Sequence, residues 1–168
     1  MTCAIRPWKP EDAPALAAAL NNKRVQENLR DGIPYPYTES DALDYIGAML
    51  RADPNTTFAF AITADGHVVG SIGVFRKDNI HFRTAELGYY VAEPFWGKGL
   101  GSAAVGQVCR YIFENTDILR IFAEPFARNA ASCRILEKND FAYEGTLRSN
   151  AVKDGAVLDM KLYARIRP

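Results

Sequence analysis

Apolar residues alternate with polar or small residues through the middle of the chain. The alternation runs over Phe58–Ile62, Val68–Phe75 and Thr84–Val91, and a period of two residues is that of a strand with one buried face. Asp65-Gly66 separates the first two runs and is a typical hairpin turn. The pattern therefore predicts three consecutive strands in an antiparallel meander.

Apolar residues spaced three and four apart predict helices on either side of these strands. Pro10, followed by two acidic residues, opens an alanine-rich stretch, and Thr38-x-x-Asp41 resembles a capping box. A later stretch places Leu100 and Ala104 on one helix face. The predicted helices cover residues 10–24, 38–51, 100–112 and 129–138, with approximate ends.

Four further runs complete the predicted strands. They are Cys3–Trp8, Leu119–Ala123, Phe141–Leu147 and Ala156–Ile166. The resulting order is β-αα-βββ-α-β-α-ββ, which predicts an α/β fold with a mixed sheet. No repeat, low-complexity tract or linker interrupts this order, so we expect a single domain over residues 1–168.

Composition excludes several classes of protein. The 168 residues carry 20 basic and 20 acidic side chains, and this neutral balance disfavours a general binder of nucleic acid or membrane surfaces. No apolar stretch approaches the length of a membrane span, about 20 residues. Three cysteines without a CxxC pair and two histidines predict neither a disulfide framework nor a metal site. The N-terminus shows no signal peptide, so we expect a cytoplasmic protein.

The most informative segment for chemistry is Gly97-Lys-Gly-Leu-Gly101, which links a predicted strand to a predicted helix. Glycines let a ligand approach the backbone, and the first N–H groups of a helix have no internal partner. With the helix dipole and Lys98, they form a seat for phosphate oxygens. The alternative is a tight turn without a ligand, but three glycines in five residues exceed what such a turn needs.

Two known phosphate-binding motifs fit this segment less well. The P-loop pattern G-x-x-x-x-G-K-S/T is absent. Gly99-x-Gly101-x-x-Ala104 fits the dinucleotide-binding pattern G-x-G-x-x-A, and Glu124 follows at about the spacing of 20 residues that this pattern requires. The preceding strands are predicted to be antiparallel rather than parallel βαβ units, which disfavours a Rossmann fold.

Trp96-Gly-Lys-Gly-Leu-Gly101 resembles the acyl-CoA loop of the GNAT superfamily of N-acetyltransferases, written Q/R-x-x-G-x-G/A. Trp96 at the first position is typical of the RimJ/RimL branch, the ribosomal-protein alanine N-acetyltransferases. Residues 86–91 resemble the strand before that loop, and residues 129–141 resemble the N-x-x-S-x-x-x-x-E-K-x-G-F helix of the branch. The resemblance covers nearly the whole chain, with Asp140 in place of a glycine as a departure.

The resemblance implies a GNAT fold, in which a mixed, mostly antiparallel sheet has helices on both faces and two splayed parallel strands hold acetyl-CoA. These strands would end at Val91 and Ala123. Arg134 and Lys138, four residues apart on one helix face, and nearby Arg128 are expected either to contact the CoA phosphates or to be solvated. The implied acetyl-CoA-binding residues are Tyr89, Tyr90, Val91, Trp96, Gly97, Lys98, Gly99, Leu100, Gly101, Ser102, Asn129, Arg134 and Lys138.

The same resemblance implies that an amine attacks the thioester directly, without an acyl-enzyme. Glu86 is the candidate base for the amine proton, and the alternative is a structural ion pair with an arginine such as Arg83. Ser132 is the candidate donor to the departing thiolate, since Leu136 stands where many relatives have a tyrosine; alternatively, Ser132 bonds only to the backbone of its helix. The N–H near Val91 is the expected polariser of the thioester carbonyl.

The sequence therefore predicts an acetyl-CoA-dependent N-acetyltransferase that acts on a primary amine. The acceptor is either a protein N-terminal α-amine or a small molecule such as a polyamine, an amino acid or an aminoglycoside. A non-catalytic acyl-CoA-binding module is the alternative. The acceptor is expected between residues 31–37 and the last two strands, with Tyr35 and Tyr37 as candidate contacts. Neither nucleic acid, nor a membrane, nor a metal is expected as a partner, and a homodimer is left open.

Overall fold

A seven-stranded mixed sheet forms the centre of the computed structural model, which describes residues 1–168. The strand order is β1-β2-β3-β4-β5-β7-β6. The strands are β1 (Cys3–Pro7), β2 (Thr57–Ala64), β3 (His67–Arg76), β4 (Thr84–Val91), β5 (Arg120–Ala123), β6 (Ala142–Lys153) and β7 (Ala156–Ile166). The helices are α1 (Ala13–Leu20), α2 (Lys23–Gln26), α3 (Glu39–Arg51), α4 (Leu100–Asn115) and α5 (Ala130–Lys138). No helix is long and apolar enough to span a membrane.

The pairing of β4 with β5 is parallel, whereas all other pairings are antiparallel. This parallel pairing runs from Thr84 opposite Arg120 to Glu86 opposite Phe122 and then stops. Beyond Ala123 the chain stays with β7, because the carbonyl of Pro125 accepts the N–H of Lys161. The sheet is therefore open between β4 and the chain that follows β5.

Each face of the sheet buries a separate apolar cluster. Helices α4 and α5 cover one face, where Val108, Ile121 and Leu136 are fully buried. Helices α1 and α3 cover the other face, where Leu16 and Ile46 are buried. The predicted meander and the helices on both faces are thus confirmed.

The expected single helix over residues 10–24 is wrong. A short 3-10 turn at Pro10–Asp12 leads into α1, which ends at Leu20, and α2 begins separately at Lys23. The break has a local cause, because the side chain of Asn22 accepts the N–H groups of Arg24 and Val25 and so begins a new helix. Asparagine competes with helix continuation in this way because its short side chain reaches nearby backbone groups.

The last hairpin is longer than the alternation predicted. The strand expected to end at Leu147 continues as β6 to Lys153, and its register with β7 shifts between Leu147 and Ala151. The shift hides the strand from a search for period-two alternation, because Ser149 takes a left-handed conformation with φ 52°. Asp140, where the GNAT pattern has glycine, likewise has φ 64° and makes the turn without a glycine.

Asp12 anchors the start of α1 to the first strand. Its carboxylate accepts two hydrogen bonds from the Arg6 guanidinium, at 2.8 and 2.9 Å, and one from the Lys9 N–H at 2.9 Å. The side chain is buried, and the hydrogen bonds from Arg6 lower the pKa of the Asp12 carboxyl. A carboxyl with a lowered pKa in the folded state stabilises the fold above its unfolded pKa, about 3.9.

We predict that Asp12→Asn lowers the free energy of unfolding by about 2 kcal/mol at neutral pH, since hydrogen bonds to a charged group are lost. The difference in the free energy of unfolding between the variant and the wild type has its full size above about pH 3.9. It becomes smaller as the pH falls toward the lowered pKa of Asp12 in the folded state. Urea unfolding across this pH range measures it. Asp44→Asn, at an exposed position on α3, is the control and is expected to change stability by less than about 0.5 kcal/mol. Equal losses in the two variants would contradict the prediction.

Candidate active site

A cleft of about 720 Å³ opens where β4 and β5 part. Its walls come from β4, from the loop before α4, from the chain after β5 and from α5. Apart from Arg128, every residue that the sequence assigned to acetyl-CoA or to the reaction lines this one cleft, from Glu86 on β4 to Lys138 at the end of α5. The fold therefore brings together segments that are more than 50 positions apart in the sequence.

The glycine-rich loop presents a run of free donors to the cleft. No acceptor within the chain takes the backbone N–H groups of residues 97–102. Gly97 and Gly99 have φ of 75° and 77°, and Gly99 is the N-cap of α4. Six consecutive unpartnered N–H groups at the start of a 16-residue helix fit the oxygens of a phosphate or pyrophosphate.

Trp96 fixes this loop to the end of β4. Its indole Nε1–H donates to the carbonyl oxygen of Val91 at 2.7 Å, and the Arg24 guanidinium lies 5.5 Å from the ring centre. Ala92 donates its N–H to Val69 on β3. Because successive residues of a strand direct their N–H groups to opposite sides, those of Tyr89 and Val91 face the open edge of β4.

Helix α5 forms the wall opposite the loop. The Asn129 side chain caps it by accepting the N–H of Ser132 at 3.2 Å. Arg134 and Lys138 line the cleft, as their spacing predicted. Arg128 does not join them, because its guanidinium donates to the carbonyl of Glu27 at 2.8 Å. The expectation that Arg128 contributes to the phosphate side is therefore corrected.

Glu86 lies at the last paired position of the parallel strands, and 21% of its side chain is exposed. Its partner is Arg30, whose Nη2 lies 2.6 Å from Glu86 Oε2 and 3.9 Å from Glu124 Oε2. Arg83, the partner considered from sequence, instead binds the carbonyl of Asp117. Sequence reasoning missed Arg30 because it comes from an irregular loop 56 positions away.

Ser132 and Tyr89 form a hydrogen-bonded pair in the cleft. The Tyr89 hydroxyl lies 2.7 Å from Ser132 Oγ and 3.2 Å from the Ser132 carbonyl oxygen. Burial raises the pKa of Tyr89 to about 12. Leu136, where the resemblance would place a tyrosine, is fully buried in the core. The sequence placed Tyr89 on the apolar face of β4 and assigned it to cofactor binding, so the contact of its hydroxyl with Ser132 was not foreseen.

Glu86 and Tyr89 project from opposite faces of the sheet. Ala85 and Leu87 belong to the cluster under α4 and α5, and Tyr89 packs against it, whereas Tyr90 packs against the other cluster. Strand alternation therefore places Glu86 on the face of α1 and α3. The cleft reaches both faces because no strand fills the gap beside β4.

Tyr35 and Tyr37 line neither the cleft nor its side cavity. Tyr37 is a core residue with 7% exposure, and Tyr35 is exposed with its ring 4.9 Å from Lys23 Nζ. Their assignment to the acceptor is therefore corrected. The loop that carries them does border a side cavity of about 290 Å³, lined by Arg30, Asp31, Glu124, Phe126, Met160 and residues 150–153.

The side cavity and the main cleft share part of their walls. Arg30, Glu124, Phe126 and Met160 line both spaces. The carboxylate of Asp31 accepts a hydrogen bond of 2.8 Å from Lys153 Nζ and so ties the loop after α2 to β6. The expected region between residues 31–37 and the last two strands thus contains a cavity that opens next to Glu86. No group of three or more His, Cys, Asp or Glu side chains is positioned to hold a metal ion.

A mixed sheet whose parallel strands part beside a glycine-rich helix start is the arrangement of an N-acetyltransferase. The acetyltransferase (GNAT) domain family matches residues 3–142 of the chain. The protein therefore belongs to the GNAT family and is an N-acetyltransferase. The resemblance that the loop and the Asn129 helix carried is confirmed.

Individual relatives agree with this family. The chain is 34% identical over 167 residues to the uncharacterized N-acetyltransferase YoaA of Bacillus subtilis, and the match covers 98% of this chain and 93% of YoaA. RimJ of Mycobacterium smegmatis, solved in complex with CoA-disulfide, is 25% identical with a TM-score of 0.87 and coverage of 98% and 81%. RimL, a ribosomal α-N-protein acetyltransferase solved with coenzyme A, shares the fold with a TM-score of 0.87, 23% identity and coverage of 99% and 94%.

We predict that the ion pair of Arg30 with Glu86 contributes little to stability. Arg30 is 66% exposed, and exposed ion pairs contribute about 0–1 kcal/mol. Arg30→Gln should therefore change the free energy of unfolding by less than about 1 kcal/mol in urea titrations.

Arg167→Gln is the control for a structural arginine. Arg167 donates to the carbonyls of Phe113, Thr116 and Ile118 at 2.5 to 2.7 Å, so its loss should cost about 1.5–3 kcal/mol. If Arg30→Gln costs as much as Arg167→Gln, the pair with Glu86 is a structural one.

Proposed function

We propose that the chain, as one domain over residues 1–168, transfers the acetyl group of acetyl-CoA to a primary amine by direct attack on the thioester. The observation that carries this proposal is the opening between β4 and β5 beside six unpartnered N–H groups. The opening exposes a strand edge for amide groups, and the N–H groups attract phosphate oxygens.

The donor is proposed to bind along β4 with its phosphates at the start of α4. The backbone N–H groups of residues 97–102 receive the pyrophosphate oxygens, and Lys98, Arg134 and Lys138 add positive charge around them. Asn129 holds the first turn of α5 against the cofactor arm. The open edge of β4, with the N–H groups of Tyr89 and Val91, pairs with the pantetheine amides.

The reacting groups are proposed to act from the two faces of the opening. Glu86 accepts the proton of the attacking amine, after the amine displaces Arg30 from the carboxylate. The N–H of Val91 stabilises the negative charge that develops on the thioester oxygen. Ser132 donates a hydrogen bond to the sulfur as the C–S bond breaks and the electron pair moves to sulfur. The amine enters from one face and the thiolate is stabilised from the other.

A protein N-terminal α-amine is the acceptor that we propose to test first. A relative that is 28% identical over 97% of this chain, YdaF of Bacillus subtilis, is named a putative ribosomal N-acetyltransferase. Residues 150–153, which line the side cavity, belong to β6, the edge strand of the sheet. An edge strand offers free backbone groups to an extended peptide. By analogy with the ribosomal-protein acetyltransferases among its relatives, the enzyme is proposed to work in the cytoplasm.

A small amine is the second candidate acceptor, and the size of the side cavity favours it. About 290 Å³ is close to the lower end of the range for small-molecule pockets, about 300–1,000 Å³. Asp31 and Glu124 lie on its walls beside Lys153 and Arg30, so a polyamine or an aminoglycoside would replace these cations at the two carboxylates.

The acceptor is identified by incubating the protein with acetyl-CoA and a panel of amines. The panel contains peptides with free N-terminal Ala or Ser, the same peptides with a blocked N-terminus and an internal Lys, and polyamines, amino acids and aminoglycosides. Release of free thiol gives the rate, and mass spectrometry locates the acetyl group. Acetylation of the free N-terminus alone supports the first acceptor. Binding of acetyl-CoA without thiol release from any amine would indicate a non-catalytic acyl-CoA-binding module.

We predict that Gly99→Glu weakens acetyl-CoA binding by roughly 10–100-fold, measured by calorimetry. The added carboxylate repels the pyrophosphate, and the lost charge-assisted hydrogen bonds set the magnitude. Gly66→Glu is the matched control, because Gly66 also has a positive φ, of 85°, and lies in a hairpin turn with open space around it. Unchanged affinity in folded Gly99→Glu would overturn the proposed donor site.

We predict that Glu86→Gln lowers kcat by about 10²–10⁴-fold, the usual contribution of a general base. The affinity for acetyl-CoA should stay within about twofold, because Glu86 lies on the acceptor side of the opening. Glu114→Gln, an exposed position on α4, controls for the loss of a carboxylate. Turnover of Glu86→Gln within about twofold of the wild type would show that Glu86 only pairs with Arg30.

A further inference from the structure

The hydroxyl of Ser132 has one strong hydrogen-bond partner, and that partner is Tyr89. Their oxygens are 2.7 Å apart, while the Tyr89 hydroxyl also lies 3.2 Å from the Ser132 carbonyl oxygen. Both residues line the cleft. A serine hydroxyl has a single hydrogen, so the direction of this bond decides whether that hydrogen is available to a third group.

Two hydrogen-bond arrangements fit these distances. In the first, Ser132 donates to the Tyr89 oxygen and Tyr89 donates to the Ser132 carbonyl, which leaves only lone pairs of Ser132 facing the cleft. In the second, Tyr89 donates to Ser132 Oγ, and the Ser132 hydrogen is free to point into the cleft. Only the second arrangement lets Ser132 donate to a negatively charged sulfur.

We propose that Tyr89 is a positioning residue for the acetyl transfer, because its hydroxyl donates to Ser132 Oγ and thereby directs the Ser132 hydrogen at the departing sulfur. The proposal rests on the proposed function, in which Ser132 donates to the thiolate. A tyrosine from β4 thus supports the serine of α5.

The surroundings of Tyr89 suit a donor that keeps its proton. Its ring packs against the core cluster under α4 and α5, and burial raises the pKa of the phenol to about 12. The hydroxyl therefore stays neutral at physiological pH. Without it, Ser132 would be free to donate to the backbone carbonyl of Arg128 or Asn129, one turn earlier in the chain, as serines commonly do.

The proton and electron balance of the step is simple. The C–S bond breaks and its electron pair stays on sulfur, while the Ser132 hydroxyl donates a hydrogen bond to the thiolate. Tyr89 gives up no proton, since it only shifts its hydrogen bond from the Ser132 carbonyl to Ser132 Oγ. The proton that the amine loses to Glu86 passes to solvent, and the thiolate is protonated from solvent after release.

A double-mutant cycle tests the proposal with Tyr89→Phe, Ser132→Ala and the combined variant. Tyr89→Phe is expected to lower kcat by about 10-fold, with KM for acetyl-CoA and the affinity for CoA within about twofold of the wild type. Ser132→Ala is expected to lower kcat by about 10–100-fold. In the Ser132→Ala background, Tyr89→Phe should change kcat by less than about twofold, because Tyr89 acts through Ser132.

Tyr143→Phe is the matched control, since the Tyr143 hydroxyl also bonds a side-chain hydroxyl, that of Thr146, at 2.6 Å on the exposed part of β6. It should leave kcat unchanged. Tyr89→Phe keeps the ring, so the fold is expected to persist, and thermal unfolding checks this. A full additional loss of rate in the Ser132→Ala background, or no loss in Tyr89→Phe alone, would overturn the role of Tyr89. No loss in Ser132→Ala would overturn the role of Ser132, and the role of Tyr89 with it.

A second measurement does not depend on any variant. In a crystal structure of the wild type with CoA, Ser132 Oγ should lie within hydrogen-bond distance of both the CoA sulfur and the Tyr89 hydroxyl. A Ser132 hydroxyl turned to a backbone carbonyl of α5, with the Tyr89 contact broken, would refute the inference.

Discussion

The cleft depends on one interruption of backbone hydrogen bonding, the end of pairing between β4 and β5 after Glu86. Strand β5 has four residues, and the chain beyond it stays bonded to β7 through Pro125 and Phe126. Strand β4 meanwhile continues to Val91 with β3 as its only partner. Unpaired backbone groups are costly when buried, so this edge persists because it faces an open cleft rather than the core.

The same interruption lets one opening reach both faces of the sheet. Glu86 points to the face of α1 and α3, and Tyr89 points to the face of α4 and α5, although the two residues are three positions apart on one strand. The charged pair with Arg30 is on the first face, and the hydroxyl pair with Ser132 is on the second. In the proposed mechanism, the acceptor side and the leaving-group side are thus separated by the thickness of a single strand.

Polar contacts join α2 and the loop that follows it to the rim of the opening. Arg24 pairs with Glu93 and stacks on Trp96, which joins the start of α2 to the glycine-rich loop. Asp31, in the loop after α2, pairs with Lys153 and so joins that loop to β6. Helix α2 therefore contacts the glycine-rich side of the cleft, and the loop after α2 contacts the edge strand. The side chains of Arg24 and Asp31 are exposed, whereas Lys153 is buried, so the contact with β6 is the more enclosed of the two.

Local sequence predicted the parts of the site whose function is carried by backbone or by helix ends. The glycines of residues 97–101 were identified because their conformation and the free N–H groups of a helix start are local properties. Asn129 and Ser132 were identified through the resemblance of residues 129–141 to the GNAT helix pattern. The break after Asn21 was missed because capping by the neighbouring Asn22 competes with a strong alanine-rich helix pattern over the same residues.

The sequence by itself determined the fold class, the antiparallel meander, the glycine-rich loop and the identity of Glu86 and Ser132 as candidate groups. Periodicity and turn chemistry act over a few residues, so one chain is enough to identify the strands and the loop, whereas Glu86 and Ser132 were singled out through the resemblance to the GNAT family. Only the tertiary structure decided that Arg30 rather than Arg83 faces Glu86, that Tyr37 is buried in the core, and that the Tyr89 hydroxyl meets Ser132. These contacts join residues 43 to 56 positions apart or depend on how two clusters pack on one sheet, and no local pattern encodes such distances.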